Sequence, residues 1–69
     1  MPSRVEAIIV PSVGDIVRIL DDLYEDGIEL VAVRDEHGVV RAVTNSGLAL
    51  VEFEIGRVVE MHPRCFETV

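Results

Sequence analysis

A chain of 69 residues is shorter than the roughly 100–200 residues of an average domain, so it has room for one hydrophobic core and excludes a second domain. A hydrophobic fraction of 49% with thirteen valines excludes a disordered chain and favours strands, because branching at Cβ suits a pleated, half-buried surface. Thirteen acidic residues against six basic ones give a formal charge of −7, which repels phosphate backbones and anionic membranes, so neither nucleic acid nor a membrane is expected as a partner.

No apolar run approaches the roughly eighteen residues that span a bilayer, and Arg4 and Glu6 stand where a signal peptide needs its apolar region. The single cysteine, Cys65, leaves no internal disulfide and fits a reducing compartment. The expected location is cytoplasmic. A domain this short buries only about 60% of the surface that its unfolded chain exposes, so a partner subunit is a common supplement to its core.

In chain order, residues 1–12 read as an N-terminal extension or edge strand, with Val5, Ala7 and Ile9 alternating before Pro11 breaks the run. Residues 13–27 are ambiguous. Val13, Ile16, Val17, Leu20, Leu23 and Tyr24 recur at helical spacing, and Ser12 with Asp15 resembles a capping box. Against a helix, Gly14 would occupy its first turn, and Ile16 to Leu20 equally reads as a strand entering an acidic loop. From Gly38 onward the pattern is a meander: GVVRAV, the turn Asn45-Ser46-Gly47, LALVEFE, the turn Ile55-Gly56, then RVVEMH before Pro63. Alternation places Ala49, Val51, Phe53, Val59 and Met61 on the core side.

These segments, VGDIVRI, a long polar loop, GVVRAV, ALVEF, a Gly-Arg hairpin, VVEM and the closing Pro63-Arg64-Cys65-Phe66-Glu67, resemble the small barrels of the Src-homology-3-like and KOW type. The resemblance covers residues 13–69, about four fifths of the chain, and implies an all-β, five-stranded barrel. It further implies core positions for Val17 and Ile19, a loop from Asp21 to Glu36, a single 3₁₀ turn led by Pro63, and a barrel end plugged by Phe66 and Val69. The helical reading has a family of its own. VPSVGDIVRILDDLYEDGIELVAVRDEHGVVRAVT resembles half of a cystathionine-β-synthase-type module, an α+β strand-helix-strand-strand unit that dimerises to sense an adenine nucleotide.

Two surfaces stand out as candidates for binding. If Ala49, Val51 and Val59 point inward, Leu48, Leu50 and Val58 form an apolar stripe on the outer face of a hairpin. Either the N-terminal strand covers it through Val5, Ala7 and Ile9, or a second copy of the chain does, with a foreign partner as the third reading. Asp21, Asp22, Glu25 and Asp26 form an acidic contact loop, read first as solvated surface and second as a contact for a basic protein; its spacing matches no calcium-binding loop. His62 and Cys65 are three residues apart, too little for a four-ligand zinc site or a catalytic cysteine, so a packed thiol is expected there.

The chain therefore reads as a non-enzymatic protein-interaction module or small accessory subunit that self-associates through the outer hairpin face, its partner being itself or another protein, with no catalytic residue, cofactor or metal expected. Two rivals are the nucleotide-sensing half-module and a tiny oligomeric barrel reductase. The second resemblance is weakened because Glu60, Met61 and His62 stand where that family carries glutamine, isoleucine and tyrosine. RNA binding of the KOW type is opposed by the charge.

Overall fold

Seven strands and one 3₁₀ turn follow in the order β1 (Ile16–Ile19), β2 (Leu23–Glu25), β3 (Glu29–Ala32), β4 (His37–Val43), β5 (Ala49–Glu54), β6 (Arg57–Met61), the turn Pro63–Cys65, and β7 (Phe66–Thr68). They come from a computed structural model that describes residues 10–54 and 56–69. The fold is all-β, since the only helical element among the described residues is that three-residue turn. None of it is long and apolar enough to cross a membrane as a helix. Five strands form an antiparallel sheet in the order β6-β5-β4-β1-β7, and β2 and β3 form a separate two-stranded sheet. The expected five-stranded closed barrel is corrected on both counts, since the described residues hold seven strands and both sheets are open: β6 and β7 end the larger sheet without pairing to each other or to the hairpin.

Local chemistry decides the ambiguous stretch in favour of strand. Gly14 adopts φ +95°, a conformation no helix contains. The Ser12–Asp15 pattern is real but closes a tight turn: the Ser12 amide donates to Asp15 Oδ2 at 2.9 Å, and the Asp15 amide donates to the Ser12 carbonyl at 3.0 Å. The Gly14 amide then donates to the Val40 carbonyl at 2.8 Å, which launches β1 alongside β4. The helix that the α+β alternative requires is absent here.

Asp21–Glu36 is likewise not one irregular loop. Asp26 and Gly27 have φ of +56° and +71°, and the Ile28 amide donates to the Glu25 carbonyl at 3.1 Å. This is the geometry of a primed two-residue turn, which Asp-Gly favours, and it pairs β2 with β3. At the next hairpin, the Gly47 amide donates to the Thr44 carbonyl at 3.0 Å and Gly47 takes φ +86°, the type I turn plus left-handed residue common in three-residue hairpins.

The core consists of Val17, Ile19, Ala32, Val40, Ala49, Val51, Met61 and Phe66, with Leu23, Val43, Phe53, Val59 and Cys65 packed against it. Burying each of the large aliphatic side chains contributes about 1.5–3 kcal/mol. Val69 does not plug an end, being 72% exposed. The register explains why. Ile19 faces Phe66 and Val17 faces Thr68, so alternation sends Glu67 and Val69 to the opposite side. Val5, Ala7 and Ile9 lie outside the described residues.

One close approach sets how β4 crosses β5. A Cβ on Gly38 would lie 2.5 Å from Val51 Cγ1 and 3.1 Å from the Glu52 carbonyl oxygen. Glycine is thus demanded by packing, and the overpacking in Gly38→Ala is expected to cost about 1–3 kcal/mol. A urea titration checks this: the midpoint falls with the slope unchanged, whereas an unaltered midpoint would show that β5 has room to move.

Candidate functional site

The hairpin β2–β3 stands beside the edge of the larger sheet, packed on its core through Leu23 and Ala32, and Arg57, the first residue of β6, ties it there by polar contacts. Its Nη1 donates to the Val31 carbonyl at 2.6 Å, its Nη2 to Glu36 Oε2, and its Nε to Glu54 Oε1 at 2.8 Å. The guanidinium carbon lies 4.8 Å from the Phe53 ring centroid, within range of a cation–π contact. Arginine suits this role because its planar fork serves several acceptors at once. Two further bonds close the base of the hairpin: the Arg34 amide donates to Asp22 Oδ1 at 2.8 Å and the Val33 amide to Glu36 Oε1 at 3.2 Å.

Between the hairpin and β6 lies a cleft of about 380 Å³, lined by Leu23, Tyr24 and Glu25 of β2, Val31 of β3, and Val58 through Met61 of β6. That volume is within the usual range for ligand sites, roughly 300–1,000 Å³. Consecutive residues line it on both walls. Since neighbours in a strand point to opposite faces, a wall made of three or four successive residues is a strand edge rather than a sheet face. β6 has β5 as its one neighbour and β2 has β3, so the cleft separates two unpaired edges among the described residues. Its apolar lining comes from Leu23, Val31, Val58, Val59 and Met61, with the Tyr24 ring; Glu25 and Glu60 supply charge on opposite walls.

The candidates picked from sequence fall in different places. Val58 is 49% exposed and lines the cleft. Leu50 pairs with Glu60 on the outer face of the sheet, where it is half-buried, as is Leu48; neither lines the cleft. Ile9 lies outside the described residues. Of the acidic set, Glu25 lines the cleft and Asp26 sits in the hairpin turn. Asp21 and Asp22 stand at the hairpin base, where Asp21 Oδ1 accepts from the Asp22 amide at 2.9 Å. One member of each set, Val58 and Glu25, thus meets across the cleft. Glu60, Leu23 and Tyr24 were missed, and the Asp26-Gly27 turn signal was what could have found the β2 wall.

Elsewhere the chemistry is structural. His62 Nδ1 accepts from the Arg64 amide at 3.1 Å, and the Cys65 amide donates to the His62 carbonyl at 2.9 Å, so this pair caps and closes the 3₁₀ turn. Among the described residues, no group of three or more histidine, cysteine or carboxylate side chains could hold a metal ion. A scan against protein-family models finds no match, and no curated protein or solved structure matches the chain.

On the outer face, Glu52 Oε1 accepts from Arg41 Nε at 2.6 Å and its Oε2 from the Gly56 amide at 3.2 Å. The Arg41 hydrogen bond foremost, then the Gly56 amide, holds the Glu52 carboxyl below its ordinary value of 4.5. A depressed pKa means that the stability contributed by Glu52 is complete above that ordinary value and is lost as pH falls through the folded one. Carboxyl chemical shifts followed through an acid titration will give a Glu52 midpoint below 4.5, and Arg41→Ala will raise it; a midpoint indifferent to Arg41 would deny the pairing.

Arg57 gives a second expectation. Arg57→Ala removes the hairpin's fastening, at a cost of about 1–2 kcal/mol for a partly exposed group with several charged partners. Amide hydrogen exchange will speed up across β2 and β3 while β4 and β5 stay protected, and Arg57→Lys will restore little of the lost protection. Uniform acceleration throughout the chain would mean that the hairpin and sheet open as one unit.

Proposed function

We propose that this chain is a non-catalytic protein-interaction module, a small Src-homology-3-like barrel left open on one side, which serves as an accessory subunit by holding a polypeptide in the cleft between β2 and β6. The barrel reading is supported by the element order. A hairpin interrupts the path from the first to the second strand of the larger sheet, a meander of three strands follows, and a proline-led 3₁₀ turn precedes a last strand that returns beside the first. The binding reading is carried by one observation, that successive residues of β2 and of β6, strands with one neighbour each among the described residues, face each other across the cleft, with Val31 of β3 beside β2. Such edges offer backbone donors and acceptors in a row, which an extended chain can match.

A second reading, self-association through the outer face of the five-stranded sheet, is favoured by the row Ile16, Val39, Glu52, Val58, in which Ile16 is 53% and Val58 49% exposed. Arg41 beside Glu52 gives that face both signs of charge, so a two-fold axis passing between the two side chains would set each against its opposite in the second copy. Light scattering over a wide concentration range tests this reading by itself: a rising mass supports it, and a constant monomer mass removes it.

Titrating the isotope-labelled protein with unstructured peptides of varied composition tests the main proposal. Amide shift changes concentrated at Leu23–Glu25 and Val58–Met61 are expected for at least one composition. A cleft silent to all of them would defeat the proposal.

A further inference from the structure

We infer that the occupant of the cleft is an extended basic segment of a partner protein, added as a strand along the free edge of β6; this rests on the cleft being a polypeptide-binding site. In an antiparallel sheet, alternate residues of an edge strand turn their N–H and C=O groups away from the one neighbour they have. Here that neighbour is β5, and among the described residues no loop, turn or cap bond uses the backbone of Arg57 through Met61. Among the described residues, the outward groups of β6 therefore have no protein partner.

The side chains choose the partner. Edge strands are commonly guarded by lysine, proline or a bulge; the β5–β6 register shifts between Glu52 and Glu54, at the Arg57 end of β6, and Val58 through Met61 carries as its one charge Glu60. Glu25 stands on the facing wall, and among the described residues no arginine or histidine lines the cleft. The nearest arginine on β6, Arg57, is committed to Glu36, Glu54 and the Val31 carbonyl. A second copy pairing through β6 would bring Glu60 towards Glu60 and set one charge of −7 against another, which electrostatics opposes. A basic strand meets complementary charge on both walls. Because its side chains alternate, one set would lie beside Val59 and Met61 while the other reached Glu60 on the opposite face of β6, with Glu25 adding charge from the facing wall. The fitting sequence thus alternates apolar and basic residues.

The probe is a short blocked peptide alternating arginine with valine, measured by amide shifts and calorimetry against four relatives. These are an alternating glutamate–valine peptide, an arginine–proline peptide, a block peptide with the parent's composition, and the parent N-methylated on either set of alternate residues. The parent is expected to shift β2 and β6 amides and to bind at least about tenfold more tightly than the acidic, proline and block versions. N-methylation in one register will abolish binding and in the other will leave it. Glu60→Lys will weaken binding by about tenfold or more, an expected size for removing and reversing a rim charge, while Glu60→Gln weakens it less; retained shift dispersion shows that both variants fold.

Equal binding of the arginine–proline peptide, tolerance of N-methylation in both registers, or indifference to Glu60→Lys would each overturn strand addition by a basic segment. Protection of the outward β6 amides in the free protein would overturn it too, assigning the edge to the chain itself if independent of concentration and to a second copy if not. Peptides that reach the cleft without these preferences defeat this inference alone, whereas failure of every peptide defeats the interaction module with it.

Discussion

The cleft exists because Arg57 holds two small sheets at a fixed separation without letting them pair. Its guanidinium reaches from the start of β6 to the Val31 carbonyl in the hairpin, to Glu36 before β4 and to Glu54 across the β5–β6 turn. Each contact is worth little alone, since the group is about one third exposed and solvent screens it. Together they orient a three-residue strand, β2, that is too short to stay folded as an isolated hairpin. Leu23 and Ala32 anchor the same hairpin from below, packing into the core formed by the larger sheet.

That core is narrow. Its fully buried large side chains are Ile19, Val17, Val40 and Val51, so small changes in volume are felt directly. Gly38 belongs to the same constraint: it lets Val51 and Phe53 pass close to β4, and Phe53 in turn carries the guanidinium of Arg57 on its ring. A line of contacts thus runs from a buried glycine to the wall of the proposed binding site. At the other end of the larger sheet, Arg18 pairs with Asp35 and Glu67, joining β1 and β7 to the turn before β4. Both partners raise the already high pKa of Arg18, with the Glu67 hydrogen bond foremost.

The meander from His37 to Met61 was legible in the sequence because alternation and turn residues agree there, and so was the closing 3₁₀ turn through its resemblance to small barrels. The helical spacing of Val13 to Tyr24 left that stretch ambiguous, since a periodicity of apolar residues says nothing about backbone sign, and Gly14 at φ +95° decided the matter. The hairpin inside Asp21–Glu36 was hidden by its acids, although Asp26-Gly27 carried its turn. Neither the openness of the sheets nor the cleft was legible, because both depend on which edges meet in space. Val58 and Glu25 were chosen for separate reasons, and only the fold puts them on facing walls.

The account stands on β6 being an unpaired edge that receives a strand. Residue-resolved amide hydrogen exchange on β6, without and with the arginine–valine peptide, tests this most directly. Fast exchange at alternate amides of Val58–Met61 in the free protein, slowed when the peptide is added, is the predicted result. Amides already protected along the whole strand, or left fast with the peptide bound, would contradict it.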